Sequence, residues 1–152
     1  MNTKIIFQSN RRSTERMQQI IHALSEEELS QITANNWTIA ITLAHLAFWD
    51  QRVIYVIESA KKSNELKAPL FDDQLNDILA PVLGAIPPVD AAQMAIRTAG
   101  TLDKLLEDSP VELIDQMMLV NSRLVNRSLH RNAHLDEIVL VTHAKPSAAQ
   151  SA

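Results

Sequence analysis

Cysteine is missing from this chain of 152 residues, and glycine is nearly missing, with only Gly84 and Gly100. Without cysteine, the chain has no disulfide, no thiolate metal site and no cysteine nucleophile. All-β folds need many tight turns, and tight turns need residues that tolerate positive φ, so two glycines favour few turns and long helices. The chain is therefore expected to be all-α.

The sequence also lacks a strong excess of one charge and a long apolar run. The formal net charge is −4, and acidic and basic residues alternate without a basic stripe, which argues against nucleic acid as a partner. No apolar stretch approaches the roughly 18 residues of a membrane span. Residues 1–7 lack the apolar core and cleavage site of a signal peptide. We expect a cytoplasmic protein that binds neither nucleic acid nor membrane.

Hydrophobic residues make up 46% of the chain, enough for a packed core. No linker or internal repeat divides the sequence, so residues 1–144 are predicted to form one domain. The small and polar segment 145–152 contains Pro146, which cannot continue a helix, and is predicted to be a disordered tail.

Helical periodicity predicts four long helices joined by short helical connections, which is typical of a four-helix bundle. The long helices are predicted from about Asn10 to Leu24, from Thr38 to about residue 60, from about Asp90 to Glu107, and from Asn121 to Val141 or Thr142. Gly100 either weakens the third of these helices or lets another helix approach closely.

Capping signals mark several helix ends. Ser25 and Glu28 form a capping box that should begin a short helix through Leu29 and Ile32. The segment Ser109–Glu112 repeats that logic, with Pro110 at the favoured first helical position.

Two of the five histidines, His130 and His134, are four residues apart, so they lie on one helical face. Each ring can bring one nitrogen to a single metal ion at about 2.0–2.1 Å. Two such histidines can equally face solvent or form hydrogen bonds in a core. The zinc-protease motif needs glutamate directly after the first histidine, and Arg131 stands there, so that motif is absent.

His45 lies in the apolar stretch 43–47 of the second helix, where we expect it to be buried. A buried histidine needs partners for both ring nitrogens. A metal ion on one nitrogen and an acceptor on the other would meet that need. A hydrogen bond to a hydroxyl group in the core would meet it as well.

Several of these motifs together resemble DinB-like proteins, the damage-inducible, YfiT-like superfamily. The first half of the resemblance is carried by Leu24–Leu29, by Trp37-Thr38 at the start of a helix, and by His45-Leu46. The second half is the paired-histidine segment Leu129–Ile138. The resemblance spans roughly residues 10–142.

The resemblance implies a four-helix bundle with a three-histidine metal site, most often filled by zinc or nickel. Carried over position by position, the ligands are His45, His130 and His134. It further implies transfer of a low-molecular-weight thiol, or metal-assisted hydrolysis or isomerisation. Three protein nitrogens leave an open position of the kind that catalytic metal sites keep.

Helical projection places three more side chains near these histidines. Trp49 is predicted as a pocket wall, although tryptophan is more often core. Arg127 is predicted as an anion clamp, although a solvated arginine is the commoner case. Glu137, one turn beyond His134, is a candidate hydrogen-bond acceptor behind a ligand or a general base. The sequence singles out no catalytic residue.

Three features stay outside this site. His22 and His143 are predicted to be structural or solvent-facing, the latter at a helix C-terminus. The segment 109–120 is unusually apolar and is open to three interpretations: a pocket lid, a dimer contact or core filler.

Three functional hypotheses follow. The leading one is a metal-dependent enzyme that acts on a small-molecule substrate, as a thiol transferase or a hydrolase. The second is a non-enzymatic stress or interaction module that the metal stabilises, and the third is a metal-free helical interaction domain. A homodimer would bury any excess apolar surface.

Overall fold

Six α-helices account for most of the described chain. The computed structural model describes residues 2–70 and 72–142, and in these ranges the only strand-like feature is an isolated bridge between Ile32 and Thr38. The helices are α1 (Thr3–Ala23), α2 (Ile39–Ser63), α3 (Gln74–Leu83), α4 (Pro88–Glu107), α5 (Val111–Val120) and α6 (Ser128–Thr142). The predicted all-α class is confirmed, whereas His143 and the predicted tail 145–152 lie outside the described residues.

The four longest helices, α1, α2, α4 and α6, contact one another in a ring. α2 packs along α4, α4 packs on α1, α1 packs along α6, and α6 contacts α2. The two ten-residue helices connect members of this ring. α3 follows α2 and packs on it, and α5 follows α4 and leads into a 3₁₀ turn at Ser122–Leu124. The ring brings α2 and α6, which carry the predicted metal ligands, next to each other.

Several predicted helix ends are confirmed. Ser25 and Glu28 form the predicted capping box, each backbone N–H donating to the other side chain. Thr38 caps α2, its hydroxyl oxygen accepting from the amide of Ile41 at 3.0 Å. Asn36 has φ 60°, a left-handed conformation that asparagine tolerates, so the chain reverses before α2.

Other predicted ends are wrong because backbone or side-chain groups form different hydrogen bonds. α1 begins at Thr3, seven residues before the predicted start, with the side chain of Asn2 as its cap. Ile32 is not helical, since its neighbours Gln31 and Thr33 form backbone hydrogen bonds to Ile39 and Trp37. Ser109 does not cap α5; its hydroxyl donates to the carbonyl of Leu105 instead.

The last helix begins at Ser128 rather than at Asn121. Asn121 does cap, but it caps only the 3₁₀ turn, by accepting from the amide of Arg123. The first amides of the α6 region, those of Arg127 and Ser128, donate to the side chain of Asn10 on α1. A residue 118 positions away in the chain therefore fixes where this helix starts.

A layer of buried polar side chains separates two apolar cores. One core, centred on Met17, Leu43, Ala95 and Leu135, fills one half of the ring. The other, centred on Ile57, Leu102 and Met117, fills the other half. Between them along the helices lie the members of the polar layer: Asn10, Ser13, Thr14, Asp50, Asp103, Arg127 and Arg131.

The apolar segment 109–120 divides between core and surface. Ile114 and Met117 are buried in the second core, as expected for core filler. Val111, Leu119 and Val120 are exposed. Among the described helices, none has the length and apolar character that crossing a bilayer requires.

Candidate metal centre

Three histidine rings from two helices meet at one point. His45 lies in the second turn of α2 and is 3% exposed, while His130 and His134 lie one turn apart on α6. The Nε2 atoms of His45 and His130 are 3.1 Å apart. One ring nitrogen from each of the three residues lies within 4.8 Å of the other two. The structure thus brings together the three residues that the sequence predicts as ligands.

The hydrogen bonds of His130 determine where its proton resides. Nη2 of Arg127 lies 3.2 Å from Nδ1 of His130. A guanidinium has donors only, so Nδ1 accepts, and a neutral His130 ring carries its proton on Nε2. That proton faces Nε2 of His45, which accepts it. The two rings therefore share one hydrogen bond through the nitrogens that face each other.

Burial keeps both of these rings neutral. Desolvation lowers the pKa of His45 to about 3, with contributions from His134 and Arg127. Desolvation also lowers the pKa of His130 to about 2, followed by the charge of Arg127 and the neighbouring histidines. Metal ligation requires neutral imidazole, so both groups are in the competent charge state at pH 7.

A carboxylate lies behind the third histidine. Oε2 of Glu137 is 3.0 Å from Nδ1 of His134 and also accepts from the side-chain amide of Asn35 at 3.1 Å. If Nδ1 donates to this carboxylate, Nε2 of His134 has a free lone pair. Such an acceptor behind a ligand fixes the ring and raises its basicity. The sequence predicts Glu137 as a candidate for such an acceptor.

Arg127 is part of the protein interior, at 6% exposure, so the alternative of a solvated arginine is wrong. Its Nε donates to Asp50 at 2.9 Å, and its Nη1 donates to the carbonyl of Arg123 at 2.8 Å. With Nη2 on His130, every nitrogen of this guanidinium has a protein partner. Arg127 also lines the adjoining cavity, and its role as an anion clamp stays a prediction.

Two tryptophans flank the histidines. The ring of Trp37 lies 5.0 Å from that of His45 and stacks at 6.5 Å on that of His134. Trp49 meets His45 edge-on at 6.3 Å, and its indole N–H donates to Asn76 at 3.0 Å. Trp49 is 6% exposed and also borders the cavity, so it is both core and pocket wall.

The histidines open onto a cavity of about 730 Å³, a size typical of small-molecule sites. Its wall mixes apolar and charged groups. Arg52 lies over the face of Trp49, at 5.2 Å from the ring centroid, and donates to the carbonyl of Pro69. Burial, followed by the charge of Arg127, lowers the pKa of Arg52. The charged residues of the wall are Arg52, Arg123, Arg127, Asp73 and Asp77.

The chemistry of the three histidines fits a divalent ion. Two ligands at about 2.0–2.1 Å from a tetrahedral ion stand about 3.3–3.4 Å apart, close to the 3.1 Å between His45 and His130. The ring nitrogens of the full set lie within 4.8 Å of one another. Imidazole nitrogen suits zinc, nickel, copper and iron. The cluster could therefore hold one metal ion.

Three residues that organise this region were not predicted from the sequence: Trp37, Asp50 and Arg131. Asp50 is 1% exposed and Arg131 is fully buried, and the two form an ion pair at 2.9 Å. The available signal was position: Asp50 is a lone acid inside the apolar stretch of α2, and Arg131 stands between the two histidines of α6. For Trp37, the sequence indicates only that it precedes Thr38, the cap of α2.

Comparison with known protein families gives one match. A family model described as the DinB superfamily matches residues 10–138, a range that includes all three histidines. No match was found among curated proteins or solved structures. The match covers most of the chain, and the chain belongs to the DinB superfamily.

Proposed function

We propose that the protein is a metal-dependent enzyme that binds one divalent ion through His45, His130 and His134 and acts on a small molecule in the adjoining cavity. The observation that carries this proposal is the convergence of three imidazoles from α2 and α6 at the wall of a cavity of about 730 Å³. Membership of the DinB superfamily supports it.

Zinc or nickel is the proposed ion, because three neutral nitrogen donors without a thiolate or a ligating carboxylate suit either. Held by three side chains, the ion would supply Lewis-acid activation at a position left open for another ligand. Coordination at Nε2 of His130 requires the proton now on that nitrogen to leave it. Because Arg127 donates to Nδ1, metal uptake should alter the contact between Arg127 and His130.

The cavity supports a substrate with an anionic group and an apolar part. Trp37 and Trp49 offer flat apolar walls next to the histidines. Arg123 is exposed and lines the cavity, so its guanidinium is placed to bind a carboxylate or a phosphate. The reaction we propose is transfer of a low-molecular-weight thiol or a metal-assisted hydrolysis. Both need an ion with an open position beside a substrate pocket.

The first experiment is elemental analysis of protein purified without an affinity tag. We expect zinc or nickel near one ion per chain, reduced to background in His45→Ala. The matched control is His22→Ala, since His22 is exposed on α1 and outside the cluster, and should leave the metal content unchanged.

The second experiment assays a panel of thiols with electrophiles, and of esters and amides, with and without a chelator. Turnover that is lost with the metal and restored by adding it back supports the proposal. Bound metal that raises the melting temperature but gives no turnover would favour the non-enzymatic, metal-stabilised module. No bound metal in the unmodified protein would overturn the metal site itself and favour the metal-free helical interaction domain.

A further inference from the structure

Asp50 connects the two helices that carry the histidines. It lies on α2, five residues after His45, and is 1% exposed. Its Oδ1 accepts from Nε of Arg127, and its Oδ2 accepts from Nε of Arg131, both at 2.9 Å. In the sequence these two arginines stand on either side of His130. The carboxylate of Asp50, on the helix of His45, therefore pairs with the two arginines that flank His130.

We propose that Asp50 is the positioning residue of the candidate metal centre, and that its two ion pairs set the approach of α6 to His45. The proposal rests on the proposed function, since it concerns the same three histidines. Asp50 touches none of them. It acts through Arg131, which lies next to His130 on α6, and through Arg127, whose guanidinium contacts His130 in the metal-free protein.

The charge of Asp50 also favours metal binding. Arg127 places a cation against one of the ligating rings, and a cation there opposes the binding of a metal ion. The carboxylate of Asp50 neutralises this charge at 2.9 Å in a buried setting. Loss of the carboxylate would therefore both loosen the spacing of the helices and leave an uncompensated cation beside the ligands.

Asp103 provides a matched control in the same network. It lies on α4, is 5% exposed, and accepts from Nη1 of Arg131 at 2.8 Å and from the hydroxyl of Thr14 at 2.5 Å. Asp50 and Asp103 are thus buried aspartates that share one arginine. The bonds of Asp103 link α4 to α6 and to α1, and none of them involves α2 or Arg127.

The test compares Asp50→Asn with Asp103→Asn by titrating Zn²⁺ and Co²⁺ into metal-free protein. Both variants should melt at lower temperature, because each leaves Arg131 with one anion fewer. We expect Asp50→Asn to weaken metal binding by about 10-fold, the lower end of the range for groups that contact ligands directly, because Asp50 acts through the two arginines. Asp103→Asn should stay within about threefold of the unmodified protein. The visible spectrum of bound Co²⁺ reports ligand geometry, and should change only in the Asp50 variant.

A second pair, Asp50→Glu and Asp103→Glu, keeps the charges and so protects the fold if an asparagine variant does not fold. The longer side chain of Asp50→Glu should shift α2 against the two arginines. Asp50→Glu should therefore bind metal more weakly than Asp103→Glu. Equal affinities and spectra within either pair, in a protein whose unmodified form binds metal, would overturn the role of Asp50 alone. No metal binding by the unmodified protein would overturn this role together with the metal site.

Discussion

His130 has a cation where a metal-ligating histidine usually has an acceptor. Ligating histidines commonly donate their second ring N–H to a carboxylate, a carbonyl or water. His134 follows this rule through Glu137, whereas His130 receives a hydrogen bond from Arg127. The two histidines of α6 should therefore differ in how strongly they donate to a metal ion, with His134 the stronger ligand.

This difference makes Glu137 testable as the group that strengthens His134. Glu137→Gln replaces the carboxylate with a neutral amide, so we expect metal affinity to fall by about 10- to 100-fold. Metal titration into the metal-free variant measures the effect. Asp136→Asn is the control, because Asp136 lies next in the chain but pairs with Arg16 on α1 at 2.6 Å. Equal affinities for the two variants would contradict a role for Glu137.

The candidate ligands could be predicted from the sequence because local patterns allow them and the resemblance to DinB-like proteins selects them. Spacing puts His130 and His134 on one face of a helix, and the apolar neighbours of His45 predict its burial. The roles of Arg127 and Asp50 could not be predicted this way. Their contact joins positions 77 residues apart, and only the packing of α2 on α6 brings them together.

Helices illustrate the same distinction at the scale of elements. The capping box at Ser25 and the cap at Thr38 use side chains within three residues of their targets, and both are confirmed. The start of α6 was predicted wrongly because its cap, Asn10, comes from another helix. Helix ends that depend on tertiary contacts leave no local pattern to read.

Asn10 should therefore be more important for stability than a local cap. Its side chain accepts from the amides of Arg127 and Ser128 and donates to the carbonyl of Val125, at 2.8–3.0 Å. Asn10→Ala would leave these buried groups unpaired, and we expect a loss of about 3–5 kcal/mol in the free energy of unfolding. Denaturant unfolding measures it. The control Asn121→Ala removes an exposed cap and should cost less than about 1 kcal/mol.

Replacement of Gly100 should raise the stability of the protein. It lies inside α4, and a Cβ atom there would have no neighbour within 4 Å, so no helix approaches it closely. Gly100→Ala should stabilise the protein by about 0.4–1 kcal/mol, because alanine restricts the unfolded chain without a clash. The unfolding midpoint should rise at an unchanged denaturant slope. A loss of stability would show that the position is sterically restricted.

At the scale of the whole molecule, the desolvated rings of His45 and His130 link stability to pH. The pKa of His45 is lowered to about 3 and that of His130 to about 2, whereas both titrate near 6.5 in the unfolded chain. The unfolded state therefore binds more protons below pH 6.5. Stability is fully present above that pH and falls as the pH drops towards the folded values, by up to about 1.4 kcal/mol per pH unit for each histidine.

We expect the metal-free protein to lose about 2–3 kcal/mol of unfolding free energy for each pH unit well below 6.5. Denaturant unfolding between pH 7.5 and 5 measures this slope. His130→Gln removes one of the two groups and should reduce the slope by about half. A slope that is flat in this window would contradict the burial of neutral rings at these positions.

The polar layer between the two apolar cores also affects how the helices align. Both cores are lined mainly by aliphatic side chains, and their burial is not directional, so on its own it would oppose a one-turn translation of α6 less strictly than ion pairs do. The same translation would break the two ion pairs of Arg131 and the hydrogen bonds of Asn10 to the amides of Arg127 and Ser128, and breaking buried ion pairs costs several kcal/mol. The buried charges thus favour the alignment of α6 in which Arg131 pairs with Asp50 and Asp103. The same alignment brings the three histidine rings together.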